Sequence, residues 1–359
     1  MPSPVLISLD AMGGDHGPPV VVGGICEYRK QHGGDGVRFL LNGDEAAIRA
    51  EMARYGLGDD VCDVRHTDKV VAMDEKPATA MRRGKGSSLW NAIEAVKTGE
   101  AGAVVSAGNT GALMAISKLI LRMSAPGLER PAIVASWPTK RGVTAVLDVG
   151  ANVESDAAQL VEFAIMGEAF MTAVHGIARP TIGILNVGSE DMKGHEEVRE
   201  AARLLREGDF GLAYHGFVEG DDIAKGTVDV VVTDGFTGNI ALKTAEGVAK
   251  FIGGLTRDAL TSSLLAKAGA ALAYRALKAM SARIDPNAIN GGPLLGLNGI
   301  VVKSHGGATP GGFGAAIRIA VDLARSDYMA KVGINLQRLT AVLEQPPAPD
   351  ADPAMETSQ

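Results

Sequence analysis

The sequence predicts an α/β fold in which a largely parallel sheet is covered by helices. Three observations carry that prediction. Short apolar runs rich in β-branched residues recur along the 359-residue chain, each bounded by Gly, Asp, Asn or Pro, as buried strands require. Helical patterns lie between most of these runs, and such alternation places parallel strands side by side with helical crossovers on their faces. Glycine-rich turns follow four of the runs, as at strand-to-helix junctions where a backbone approaches a ligand.

In chain order, Val5 to Leu9 reads as the first strand and stops at Asp10. Further strands are expected at Val37 to Leu41, Ala103 to Val105, Ala132 to Ala135, Val143 to Leu147, Thr181 to Leu185, Leu212 to Tyr214, Val228 to Val232 and Ile300 to Val302. Helices are expected at Asp44 to Tyr55, Ser87 to Lys97, Thr110 to Arg122, Ser155 to Val174, Glu196 to Leu205 and Ala315 to Ala324. Phe251 to Ile284 is different: it has no strand signal and is long for one surface helix, with Gly269 as the expected break. Within it Ala273, Leu277, Met280 and Ile284 share one face while Arg275, Lys278 and Arg283 take others, which makes a basic amphipathic helix. That face either packs, on its own domain or in a helical dimer contact, or rests on anionic lipid.

With 46% apolar and 21% charged residues the chain can bury a large core. Residues 1–344 are read as a single domain, and 345–359, with Pro346, Pro347, Pro349 and Pro353, as a disordered tail. The net charge of −7, part of it from Asp350, Asp352 and Glu356, argues against a nucleic-acid surface, so any positive site is local. Cys26 and Cys62 lack zinc-module spacing and point to a reducing compartment. Met1 to Pro4 leads into a run too short for a signal peptide, and no stretch approaches 18 uncharged apolar residues, so no spanning helix is expected.

The four glycine turns are Ala11 to Pro18, Ser106 to Ala112, Asp148 to Glu154 and Thr233 to Asn239. One such turn is ordinary in an α/β protein, but four that also carry Asn, Thr, Asp and His suit a phosphate site. Dinucleotide, nucleotide-loop, nucleophile-elbow and zinc-hydrolase motifs are all absent from the sequence. Hydride transfer, ATP use, serine acyl-enzyme chemistry and zinc hydrolysis lose weight accordingly. Arg82, Arg83 and Lys85 precede a helix that Ser87 and Ser88 can cap, a pairing of cations with free N–H groups that holds an anion or simply forms a solvated loop. Lys193, in Asn186 to His195 after a strand, is placed to neutralise charge near the strand ends.

The combination D-A-M-G-G-D-H-G-P at Asp10 to Pro18, S-A-G-N-T-G-A at Ser106 to Ala112, D-V-G-A-N-V at Asp148 to Val153, N-V-G-S-E-D-M-K-G at Asn186 to Gly194, V-V-T-D-G-F-T-G-N at Val231 to Asn239 and K-S-H-G at Lys303 to Gly306 resembles the phosphate acyltransferases of bacterial phospholipid synthesis. The match runs in order from residue 5 to about residue 335. Gly292-Pro293 departs from the Gly-Ala expected before Leu294-Leu295-Gly296. The resemblance implies a three-layer α/β/α fold with a mixed sheet, similar to isocitrate and isopropylmalate dehydrogenases and phosphotransacetylase, with a protruding helical segment. It implies a homodimeric cytoplasmic enzyme, peripherally bound to membranes, that makes acyl-phosphate from an acyl carrier protein thioester and inorganic phosphate. That product feeds a glycerol-3-phosphate acyltransferase.

Phosphate is itself a nucleophile, so such an enzyme has only to position it, offset its repulsion from the thioester oxygen and stabilise the oxyanion. Neither metal nor cofactor is required. Gly108, Asn109, Thr110 and Gly111 are assigned to phosphate, with Thr237, Gly238 and Asn239 as a second cradle. Lys193 is the expected neutralising charge, and Asp234 or His305 an optional acid. Asp10, Asp15 and His16 are expected to orient the cluster. Arg82, Arg83, Lys85 and Ser87 are candidates for substrate or carrier binding, and Leu277, Met280 and Ile284 for membrane contact. The rivals are a phosphotransacetylase acting on acyl-coenzyme A, a metal-dependent 2-hydroxyacid dehydrogenase of related fold and a non-enzymic membrane scaffold.

Overall fold

Successive residues of the central strands point into two different apolar layers, which is why these strands read as unbroken apolar runs. In the computed structural model, which describes residues 4–34, 36–125, 128–283 and 290–343, Ala103 and Val105 enter one core and Val104 the other. Ala145 and Leu147 are likewise divided from Val146, and Val230 and Val232 from Val231. A period of two with both faces covered gives three layers, helices on either side of one sheet.

The N-terminal half comprises β1 (Val5–Asp10), α1 (Pro18–His32), β2 (Val37–Gly43), α2 (Glu45–Tyr55), β3 (Cys62–His66), α3 (Pro77–Arg83), α4 (Ser88–Lys97), β4 (Ala103–Ser106) and α5 (Thr110–Leu121). A hairpin, β5 (Ala132–Pro138) and β6 (Val143–Leu147), leads into α6 (Ala157–His175), β7 (Thr181–Leu185), α7 (Glu196–Glu207), β8 (Ala213–Val218), α8 (Gly220–Lys225) and β9 (Val230–Val232). Then come α9 (Gly235–Thr261), α10 (Leu264–Leu272) and α11 (Tyr274–Arg283), followed by β10 (Gly292–Leu295), β11 (Ile300–Lys303), α12 (Pro310–Arg325) and α13 (Tyr328–Leu343). The strands form an 11-stranded sheet in the order β3-β2-β1-β4-β11-β10-β5-β6-β9-β7-β8. Both flanks are parallel within themselves, but β10 is antiparallel to β11 and β5, and β5 to β6. The two parallel halves therefore run in opposite directions, with the antiparallel strands between them.

Caps explain several boundaries. Asp44 accepts from Ala46 N at 2.9 Å, Ser87 from Trp90 N at 3.2 Å and Asp234 from Thr237 N at 2.8 Å, each satisfying a first-turn donor. Asp156 and Gln159 form a reciprocal capping box at the start of α6. By length and composition α6 is apolar enough to cross a membrane, contrary to the expectation of no such segment, but most of it is buried as a core helix. Further strands β3 and β10 and helix α1 escape the sequence pattern, and β8 runs on to Val218. The expected break at Gly269 is displaced: Gly269 lies inside α10, and the chain turns at Ser262 and Ser263, whose hydroxyl caps Ala266 N at 3.1 Å, and again at Ala273. No residue of α10 is buried, and Leu264, Leu265 and Leu272 are 86, 84 and 92% exposed. Ile284 and the tail at 345–359 lie outside the described residues.

Candidate active site

Asp10, Ser106 and Lys303 stand side by side, because β4 pairs in parallel with β1 and β11 and Ser106 is in register with both partners. The row closes the carboxyl ends of three adjacent parallel strands, where open α/β sheets bind ligands. Ser106 Oγ donates to Asp10 Oδ2 at 2.7 Å and accepts from Gly108 N at 3.0 Å. Asp10 is 2% exposed, and that burial raises its pKa against the hydrogen bonds that lower it. The loops beyond the row are locked together: Asp15 N donates to Gly306 O at 2.9 Å. Gly14 has φ +90°, and a Cβ there would sit 2.9 Å from both Ala107 Cβ and Gly306 O, so only glycine fits.

Lys303 Nζ donates to Ala107 O at 3.2 Å and to Ser304 O. Loss of solvent pulls its pKa down to about 8, opposed by Asp10 and Asp15. Asn290 steadies the same loop, donating from Nδ2 to Ser304 Oγ at 2.9 Å and accepting from His305 N at 3.1 Å. The His305 imidazole is held below its ordinary pKa, chiefly by desolvation, with Glu246 raising it and Lys303, Lys243 and Lys250 lowering it.

The second half contributes the loop after β6. The Asp148 carboxylate accepts from Ile133 N, Gly150 N, Ala151 N, Asn152 N and Asn152 Nδ2, at 2.6 to 3.2 Å. Asn152 is buried and also donates to Pro131 O at 3.0 Å, so the D-V-G-A-N turn is a scaffold. The α9 N-terminus rests on it: a Cβ on Gly238 would lie 1.9 Å from Asp148 O.

Between the two halves lies a cavity of about 530 Å³. Ile133, Ala135 and Trp137, alternate residues of β5, form part of its apolar wall with Val149, Leu242 and Ala249. Thr110, Asn239, Lys243, Glu246, Asn290, Lys303, Ser304 and His305 supply polar groups. The arrangement pairs a largely apolar space with a cationic, hydroxyl-bearing border. It suits an apolar acyl group whose reacting end meets an anion.

Thr110, Asn239 and His305 are the expected site residues that line this cavity. Asn109 is otherwise engaged: its Oδ1 caps Ala112 N at 3.0 Å, and its Nδ2 donates to Ala72 O, Met73 O and Glu75 O at 2.8 to 3.3 Å. Gly111 lies against Pro77, and Gly108 against Asp10. Thr237 is turned to Asp234, donating from Oγ1 to Oδ2 at 2.7 Å, and Gly238 N donates to Asp234 O at 3.0 Å. Lys193 is exposed on the loop after β7 and does not line the cavity. Arg82, Arg83 and Lys85 are exposed at and beyond the end of α3, Ser87 is the buried α4 cap, and Asp15 and His16 are exposed. Leu277 is half-buried and Met280 is 50% exposed. Lys303 and Asn290 were not singled out as side chains. For Lys303 a signal existed, since a lysine directly after the apolar run Ile300 to Val302 must stand at a strand end.

The profile of a family described as "Fatty acid synthesis protein" matches residues 5–331. A phosphate acyltransferase of Caulobacter vibrioides is 67% identical over 341 residues, covering 95% of this chain and 94% of that protein. One of Phenylobacterium zucineum is 59% identical, covering 97% of this chain and 98% of that protein. Among solved structures, a phosphotransacetylase from Streptococcus pyogenes superposes with a TM-score of 0.62 at 18% identity, covering 89% of this chain and 94% of that one. The EutD phosphotransacetylase from Staphylococcus aureus gives 0.58 at 16%, covering 89% and 94%. These structures share the three-layer fold, and the sequence relatives carry the assignment: the chain is an enzyme of the phosphate acyltransferase family.

Proposed function

We propose that the enzyme transfers the acyl group of an acyl carrier protein thioester to inorganic phosphate, and that the cavity between the two halves holds the reacting groups. The observation that carries this reading is the cavity's make-up, apolar along β5 and α9 and bordered by Lys303, Ser304, His305, Thr110 and Asn239. A phosphate oxygen attacks the thioester carbon, forming the C–O bond. The tetrahedral oxyanion then collapses, breaking the C–S bond, and the thiolate leaves with the electron pair and takes a proton from solvent. Cations and N–H groups offset the charge that gathers on the two adjoining oxyanions. Asp10 and Asp15 serve this scheme as supports of the Lys303 loop.

The carrier docks, in this reading, on Arg82, Arg83 and Lys85, whose exposure leaves them free for an acidic partner. Lys193, exposed on the loop after β7, neutralises charge in this reading from outside the cavity lining. The exposed arm α10 and α11 either meets a second copy of the chain or rests on a membrane surface, from which acyl-phosphate passes to a glycerol-3-phosphate acyltransferase. The test is incubation with long-chain acyl carrier protein and phosphate, trapping acyl-phosphate as its hydroxamate, beside a parallel reaction with acyl-coenzyme A. Product from the carrier thioester supports the proposal. Turnover confined to acyl-coenzyme A would replace the donor.

A further inference from the structure

Lys303 is the last residue of β11, and the alternation along that strand fixes where its side chain goes. Ile300 and Val302 enter one core and Val301 the other, so Lys303 continues the Val301 face and reaches the cavity. Its ammonium carries three N–H donors. Ala107 O and Ser304 O take two, leaving the third with no protein acceptor among the described residues. No carboxylate lies within ion-pair distance of it among those residues, although Asp10 on β1 and Asp15 on the following loop act on it from farther off. Even a partly buried ammonium is costly unless a charge partner arrives. Of the other charged cavity residues, Lys243 on α9 is exposed and paired with Glu246 at 3.2 Å.

We propose that Lys303 is a catalytic residue whose ammonium directly contacts the phosphate nucleophile and holds it at the polar border of the cavity. The proposal rests on the functional reading above and adds the group that binds the nucleophile. Two carbonyls fix the ammonium before phosphate arrives, so the contact requires little reorganisation. With its pKa lowered to about 8 the lysine is still mostly charged at neutral pH but loses its charge near pH 8, with Asp10, Asp15, His305, Lys243 and Glu246 as the titrating or charged neighbours.

The test has two arms. In the wild-type protein, acetic anhydride labelling of Lys303 is followed by peptide mass spectrometry, with and without saturating inorganic phosphate and with chloride at matched ionic strength. Phosphate should slow labelling of Lys303 about tenfold or more, as occupancy of a contact site requires, while chloride should not. In the second arm, Lys303→Met should lower kcat/KM for phosphate by about a hundredfold with a raised KM, and Lys303→Arg should recover part of it. Labelling indifferent to phosphate, or a folded Lys303→Met with wild-type KM for phosphate, overturns the proposal. Should Lys303→Met fail to fold, the labelling arm decides. Because labelling needs no acyl donor, it still reports on Lys303 if the carrier thioester proves to be the wrong substrate.

Discussion

Many of the polar residues in the glycine-rich motifs hold the backbone, and their hydrogen bonds show which role each fills. Asn109 looks like a phosphate ligand in sequence because it opens a helix after a glycine, yet both ends of its amide are committed to the protein. Asn109→Ala is therefore expected to cost about 1 to 2 kcal/mol of stability through the lost cap and the released carbonyls. Chemical denaturation measures it, and unchanged stability would return Asn109 to the list of ligand contacts. Asp148 is the stronger case, since its loss strands several donors at once. Asp148→Ala should cost about 3 kcal/mol or more or prevent folding, whereas an active, fully stable variant would contradict its scaffold role. Lys193 offers the contrast: exposed as it is, Lys193→Ala should leave thermal stability nearly unchanged, and a wild-type rate in that variant would remove it from the reaction. Such distinctions were not legible in the chain, because Asn, Asp and Thr serve caps and ligands with the same atoms. The glycines were more legible, and Gly14 and Gly238 stand where a Cβ would strike backbone.

Elements were easiest to recognise where burial is two-sided. Val143–Leu147 and Thr181–Leu185 coincide with their expected spans because the strands are largely apolar or β-branched and are followed by Asp148 and Asn186. Strand β3, with Asp63, Arg65 and His66, is an edge strand whose polar residues conceal it, and β10 is only four residues long and contains Pro293. Helix α6 shows what a core helix conceals in the other direction, since Glu162 and His175 lie within a mostly apolar sequence. Burial raises Glu162 to about 8, assisted by Asp156 and Glu129, and lowers His175 to about 4, assisted by Arg318. Both groups are thus neutral in the folded protein over much of the range in which they are charged when unfolded. For Glu162 the unfolded chain releases its proton first, so stability falls as pH rises from about 4.5 toward 8. For His175 the unfolded chain gains a proton first, so stability falls as pH drops from about 6.5 toward 4. Glu162→Gln should accordingly stabilise the protein by up to about 3 kcal/mol at pH 7 and by little near pH 4.5. Denaturation midpoints at the two pH values provide the check, and an equal effect at both would mean that Glu162 is ionised in the fold.

At the scale of the molecule, opposed parallel halves and a half-covered β5 create the cavity, and no single motif contains that information. The layered α/β class could be read from alternation alone, but the reversal of direction at β10, β5 and β6 could not, because pairing partners lie far apart in sequence. Carrier docking is tested at this scale by ionic strength: if Arg82, Arg83 and Lys85 steer an acidic partner, salt should raise the apparent KM for the carrier. A KM insensitive to salt would exclude that steering. The arm formed by α10 and α11 poses the last question, since Leu264, Leu265, Leu272 and Met280 are at least half exposed while Arg275 and Lys278 flank them. Exposure of so much apolar side chain is unfavourable unless lipid or a second copy covers it. On an anionic bilayer each buried leucine or methionine contributes about 1.5 to 3 kcal/mol and the flanking cations add attraction. Leu277→Glu with Met280→Glu should therefore weaken co-sedimentation with anionic vesicles about tenfold or more, while soluble acyl transfer stays within about twofold. Sedimentation equilibrium of the same variant separates the two occupants. Loss of vesicle binding with unchanged mass assigns the face to lipid; a fall in mass with vesicle binding retained assigns it to the second copy.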